Sequence, residues 1–405
     1  MVAPRHQRQC AGPRLRAHGT DSPGVRRSRT RGAQRGADLH RAQWRTRGYG
    51  RPAAIFLLRG VELRHRANHD AGRRIYREMK ALVYTGPEGL DYRDMADPIP
   101  RDGEALIRVQ SVGICGSDMH AYLGHDERRP APLVLGHEAA GVVLSGAMQG
   151  QRVTVNPLVT CGTCPACRSG RDNLCSTRQI ISMPPREGAF AGLLSMPEGN
   201  LVPLPDHVTT HQASLAEPIA CGWHAVRLGR AALGDGPHRA LVLGGGAIGL
   251  GAALSLAAQG IVDVTMVEPH AARRAFLELR CDQVVMAPDA LDPAEQFDLV
   301  VDGVGFEATR AQASAHARPG GVIVHIGLGQ PTGGLDIRRM TLQEITFIGT
   351  YTYTAQDFRD CAQAMFDGRL GALDWIEERA LSDGARAFAD IRAGRVTSPK
   401  IVLVP

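Results

Sequence analysis

The stretch ALVLGGGAIGLGAALSLAAQGIV, residues 240–262, constrains the fold more than any other. It carries no charge and is long enough to suggest a membrane span. Its glycines argue against that, because Gly244, Gly246 and Gly249 form G-x-G-x-x-G directly after an apolar strand and at the opening of a helix. The first permits the turn, the second lets the backbone approach a pyrophosphate, and the third lets helix pack on strand. The next apolar run, DVTMVEP, ends in Glu268, 19 residues after Gly249, where a carboxylate can accept hydrogen bonds from ribose hydroxyls. That carboxylate repels a 2′-phosphate, so the expected dinucleotide is NAD. Arg273 and Arg274 follow closely and are the residues that could instead serve a phosphate.

This strand-turn-helix is one unit of a repeated pattern. LVLGGG, DVTMVEP, QFDLVVDGVG and GVIVHIG read as strands between Ala-rich helical stretches from about residue 225 onward, which implies a parallel, doubly wound sheet. Upstream the texture differs. MKALVYTG, EALIRVQSVGIC, GHEAAGVVLSG and QRVTVNPLV are short β-rich runs punctuated by Gly and Pro, as expected of an all-β unit. After the alternating region, YTAQDFRDCAQAMFDGRL reads as helical, ahead of a final strand in SPKIVLVP.

Charge is unevenly distributed. Residues 1–78 hold 19 Arg, no Lys and 5 acids, a net of +14, so a chain whose total is +6 has a body of net −8. A basic surface for nucleic acid is therefore not expected of the body. The leader cannot bury enough apolar surface to order itself. It fits upstream sequence ahead of a true start at Met79, a disordered basic arm, or a transit peptide, the first being preferred because a transit peptide should be shorter and richer in Ser.

Four of the nine cysteines lie within CGTCPACRSGRDNLC, residues 161–175. Cys161, Cys164, Cys167 and Cys175 are spaced C-x2-C-x2-C-x7-C, which suits tetrahedral zinc or an iron–sulfur cluster. A closed four-sulfur shell leaves no position for substrate, so a zinc held there would be structural. The odd cysteine count and the lack of an apolar signal segment favour a reducing cytoplasm over a disulfide-stapled secreted fold.

From Met79 to Pro405 the chain resembles the zinc-dependent medium-chain dehydrogenases, particularly their polyol, sorbitol-like branch. The resemblance rests on GICGSDMH, GHEAAGVV, the four-cysteine loop, AEPIACGWHA and GGGAIG in the family's order. It implies an α/β fold with a GroES-like β-barrel catalytic domain at 79–220 and 351–405 and a Rossmann domain at 221–350. It implies a catalytic zinc on Cys115 and His137 with Glu217 in third place, Glu138 as an alternative ligand, and a structural zinc on the four cysteines. Asp118 would orient His137, and Ser117 and His120 would relay a proton to solvent. Gly244, Gly246, Ile248, Gly249, Glu268 and Arg273 would contact NAD. Cys221 fits the nicotinamide side or, equally, a core position. Loops around Tyr122, Met183 and Tyr351 would set specificity.

The implied activity is hydride transfer from a secondary alcohol of a polyol or sugar acid to NAD, by a homo-oligomer, dimer or tetramer, without nucleic-acid or membrane partners. EITFIGTY is a candidate subunit edge. A threonine 3-dehydrogenase-like enzyme is the nearest rival, and a catalytically inactive zinc- and dinucleotide-binding protein the rival from another class.

Overall fold

The computed structural model describes residues 78–236 and 238–405, so the readings offered for the leader lie outside the described residues. A seven-stranded sheet forms the larger part of the β-rich unit. Its order is Leu201–Pro203, Arg152–Val155, Glu138–Val143, Glu104–Gly113, Lys400–Val404, Ile376–Ala380, with Leu193–Pro197 also paired to Glu104–Gly113. A three-stranded sheet places Glu78–Gly86 between Gly89–Ala96 and Leu133–Val134. Along Glu104–Gly113 buried and more exposed side chains alternate in the first half, as a sheet with one covered face requires. Leu82, Ile107, Val153, Phe190, Met196, Phe388 and Leu403 fill the core enclosed by these strands.

The second unit is a six-stranded parallel sheet. Its order is Val284–Met286, Asp263–Val267, Arg239–Leu243, Phe297–Asp302, Ala317–His325, Thr346–Gly349. The strand at the glycine turn is central and four of its five residues are buried, because helices cover both of its faces. The order reverses between Asp263–Val267 and Phe297–Asp302, so the crevice at the carboxyl ends of these strands is where such sheets bind ligands. The 240–262 run resolves into strand Arg239–Leu243 and the twelve-residue helix Ala247–Ala258. Among the described residues no helix is long and apolar enough to cross a membrane.

The chain passes from the first unit to the second along helix Ala216–Leu233, whose side chains share a core with the parallel sheet. Helix Ala355–Phe366 packs against it, contributing Phe358, Cys361, Ala364 and Met365 to the same core. The chain rejoins the first sheet at Ile376–Ala380 and Lys400–Val404, with Val402 opposite Gly113 and Leu403 opposite Val112.

Candidate active site

Three donor atoms converge where strand Glu104–Gly113 ends and strand Glu138–Val143 begins. The Cys115 thiol, a His137 ring nitrogen and a Glu138 carboxylate oxygen all lie within 4.8 Å of one another. Cys115 stands immediately before the short helix Gly116–Tyr122, whose first turn supplies Asp118. That carboxylate is fully buried and accepts hydrogen bonds from the Cys115 N–H at 3.0 Å and the Gly136 N–H at 3.2 Å. It therefore ties the two segments that carry Cys115 and His137, and its Oδ1 lies 3.5 Å from His137 Nδ1. Burial opposes its charge, but His137 and Arg129 overcome that and hold its pKa below the ordinary value.

Glu138 is held from one side only. Its Oε1 accepts a bond from Lys400 Nζ at 2.6 Å, while Oε2 is buried without a hydrogen-bond partner among the described residues. Lys400 also donates to the Ile114 carbonyl at 2.9 Å. A Cβ at Gly113 would lie 1.9 Å from Glu138 Oε2, so this carboxylate occupies the space a glycine leaves. A thiol, an imidazole and a carboxylate whose donor atoms lie within 4.8 Å of one another offer the ligand types that a divalent zinc ion takes. Burial works to lower the pKa of His137, but the charges of Asp118 and Cys115 outweigh it and hold the pKa well above its usual value.

Glu217 reaches the same region from the first turn of Ala216–Leu233, outside that three-atom set. Its Oε1 accepts a hydrogen bond from the Tyr353 hydroxyl at 2.8 Å. Burial pushes its pKa up, and the charge of Glu138 adds to the effect. Among the described residues, Glu138 and not Glu217 is the carboxylate in the set whose donor atoms lie within 4.8 Å of one another. Cys221, one helical turn after Glu217, has its thiol pKa raised well above the usual value by burial and the charges of Glu217 and Cys115, so it stays protonated.

Ser117 is half-buried and His120 exposed, three residues apart on one short helix. The buried Arg129 braces Ser117, donating to its carbonyl at 2.9 Å and, more loosely, to its hydroxyl at 3.5 Å. The same guanidinium donates to the Ser182 carbonyl, next to Met183. Tyr122, by contrast, packs its ring against Phe388 at 5.2 Å inside the barrel core. Tyr351 lies under the Arg178 guanidinium.

In the four-cysteine lobe the neighbouring sulfur atoms are 3.5, 3.5 and 3.9 Å apart, and among the described residues none forms a disulfide. A tetrahedron with Zn–S bonds of about 2.3 Å has edges of about 3.8 Å, so one zinc ion fits this cage. A polynuclear cluster, in which each thiolate binds a different iron, would hold them farther apart. Backbone N–H groups of Thr163 and Cys164 pull the Cys161 thiol down to about 5. Desolvation within the cluster, with Cys164 and Cys175 alongside, pushes Cys167 up to about 12.

At the glycine turn, a Cβ on Gly249 would stand 1.8 Å from the Gly244 carbonyl oxygen, whereas one on Gly246 would meet nothing closer than Arg273 Nη1 at 3.9 Å. The third glycine is thus required by packing, and the second leaves room beside the N-terminus of Ala247–Ala258 for an anionic group. Ile248 lies in the first turn of that helix. Glu268 is pinned in the turn: its Oε2 accepts from Gly245 N–H and its Oε1 from His270 N–H, both at 2.8 Å. The two arginines that could serve a 2′-phosphate are engaged elsewhere. Arg274 donates to the carbonyls of Glu268 and Pro269, and Arg273 to those of Val396 and Thr397.

Lys400, Arg129, Gly113 and Tyr353 were not singled out by sequence reasoning. Lys400 had a signal, a lone charge at the mouth of the apolar run IVLV; Tyr353 had none. A separate hollow of about 640 Å³, lined by Lys80, Arg108, Thr210 and His211, contains none of the groups described above.

Residues 101–206 match the family model described as an alcohol dehydrogenase GroES-like domain, and residues 247–367 match the one described as a zinc-binding dehydrogenase. An L-galactonate-5-dehydrogenase from Escherichia coli K12 is 34% identical over 309 residues, covering 73% of this chain and 89% of its own. An L-idonate 5-dehydrogenase from Vitis vinifera is 29% identical, covering 68% and 80%. The structure of acetophenone reductase from Geotrichum candidum in complex with NAD superposes with a TM-score of 0.72 at 26% identity, covering 82% of this chain and 99% of that one.

Proposed function

Because the chain belongs to the zinc-dependent medium-chain dehydrogenases of the polyol and sugar-acid branch, we propose that it oxidises a secondary alcohol of a sugar acid or polyol with NAD. The observation that carries this reading is the convergence of the Cys115, His137 and Glu138 donor atoms within 4.8 Å of one another.

Cys115, His137 and Glu138 would hold the catalytic zinc, with Glu217 facing it, and the four lobe cysteines would hold a second, structural zinc. When bound, the zinc lowers the pKa of a substrate hydroxyl and the nicotinamide accepts hydride. The protein's own part is to place and deprotonate the alcohol. Asp118 fixes the ring of His137. Ser117, braced by Arg129, takes the hydroxyl proton at its Oγ, and the exposed His120 passes it to solvent. Gly244, Gly246, Ile248 and Gly249 receive the dinucleotide at the helix N-terminus, and Glu268 accepts the ribose hydroxyls while disfavouring a 2′-phosphate. Arg273 borders that site. With this reading goes a division into a barrel unit at 79–220 and 351–405 and a dinucleotide unit at 221–350, in which helix Ala355–Phe366 of the barrel segment packs on the core of the dinucleotide unit.

We further propose a homo-oligomer joined along Thr346–Gly349, which stands at one edge of the parallel sheet with Phe347 partly exposed, and which follows a helix that carries exposed Ile337 and Leu342. The free thiols suit a reducing compartment, and we place the protein in the cytoplasm.

An NAD-linked screen of L-galactonate, L-idonate, sorbitol, xylitol and L-threonine tests the assignment. Reduction of NAD by one or more of the sugar acids or polyols is expected. Turnover of threonine alone would overturn it.

A further inference from the structure

Tyr353 is nearly inaccessible to solvent, and its hydroxyl donates to Glu217 Oε1 at 2.8 Å. Its ring leans on Phe358 at 5.6 Å. The main chain on both sides of it is bonded to the four-cysteine lobe. Two residues before, the Tyr351 carbonyl accepts a bond from Asn173 Nδ2 at 2.8 Å. Two residues after, the Ala355 N–H donates to both carboxylate oxygens of Asp172 at 3.2 Å. Ala355 opens helix Ala355–Phe366, so Asp172 supplies an acceptor to an N–H that the helix itself cannot satisfy. A third tie runs through Arg178, which donates to the Cys175 carbonyl at 2.9 Å and lies over the Tyr351 ring at 4.8 Å from its centre. Asp172 and Asn173 lie between the third and fourth cysteines of the lobe, in the turn Asp172–Leu174.

We propose that Tyr353 is a positioning residue for Glu217 and that the cysteine lobe sets its place, so that the lobe governs how firmly the catalytic site keeps its metal. The proposal rests on the reading of Glu217 as a carboxylate facing the catalytic zinc. The hydroxyl fixes one oxygen of Glu217 and thereby the direction in which the other points. Without that bond, a carboxylate that burial already disfavours loses its orienting donor. The lobe does no chemistry, but it clamps the five residues at whose centre Tyr353 stands.

The test uses the zinc-loaded enzyme without substrate and follows zinc release to a chromogenic pyridylazo chelator. Two release phases are expected, and Cys115→Ser, lacking one of them, identifies the catalytic phase. Tyr353→Phe removes one oxygen atom and should accelerate that phase by about tenfold, the lower end of the effect of losing an outer-shell partner, because the carboxylate that faces the metal loses its orienting donor. Asp172→Ala should accelerate it likewise while all four cysteines remain, and Asp172→Asn, which keeps an acceptor, should restore most of the wild-type rate. Because Tyr353 acts through Glu217, adding Tyr353→Phe to Glu217→Gln should change the rate no further. A catalytic phase unchanged in Tyr353→Phe but accelerated in Glu217→Gln would overturn the positioning role alone. A phase unchanged in Glu217→Gln would remove the Glu217 reading together with it. Thermal melts of each variant separate these outcomes from loss of the fold, and additive effects in the double variant also count against the proposal.

Discussion

Glu138 and Glu217 are two buried carboxylates whose charges interact and whose tethers differ: Lys400 holds the first and Tyr353 the second. Two carboxylates so close repel unless cations stand between or beside them, and Lys400 with a bound metal would supply that charge. Replacing Cys115 by Ser should lower the zinc content by one ion per chain and abolish turnover while NADH titration remains normal; elemental analysis and nucleotide fluorescence check both halves. Gly249→Ala would drive a methyl group into the Gly244 carbonyl, and nucleotide binding should fall at least tenfold with a stability loss of about 1–3 kcal/mol. Cys115, His137 and the glycines were legible because each sits in a short local motif. Tyr353 and Lys400 were not, since each finds its partner across the chain, 136 and 262 positions away, and no local pattern marks such a meeting.

Helices Ala216–Leu233 and Ala355–Phe366 are joined by a buried polar knot. The Asp357 carboxylate accepts from His224 Nδ1 at 2.7 Å, from Arg227 at 2.5 and 2.9 Å, and from the Thr354 hydroxyl at 2.7 Å. Burial raises its pKa, but His224, Arg227 and Thr354 outweigh that and depress it strongly. A depressed carboxylate pKa means the folded state releases a proton the unfolded state keeps. The stabilisation is present above the unfolded value of about 3.9 and is lost as pH falls toward the depressed one. Asp357→Asn should cost on the order of 3 kcal/mol in urea unfolding at pH 7, and the gap between variant and wild type should narrow below about pH 4. The strand-turn-helix at Gly244, the alternating strands that follow it and the helix Ala355–Phe366 were legible from their local sequence. The cap that Asp172 places on Ala355–Phe366 was not, because it comes from a loop 183 residues away.

At the scale of the whole molecule, EITFIGTY could have been a central or an edge strand on composition alone; the structure puts Thr346–Gly349 at the edge. Phe347→Glu should then halve the mass seen by light scattering or lower it further, while a fold-sensitive probe such as near-ultraviolet circular dichroism stays unchanged. The nesting of one unit within the other has a mechanical result as well. Strand Lys400–Val404 lies against Glu104–Gly113, and between those two segments the chain travels out through all six parallel strands and back. A single proteolytic cut in the loop at 287–296 would leave one fragment with three of the parallel strands and another with the remaining three plus Lys400–Val404. Each fragment would stay gripped by the other through two separate sheets. The nicked protein should run as one body in a native gel and come apart only in denaturant, like a knotless clasp whose two halves share a pin at either end.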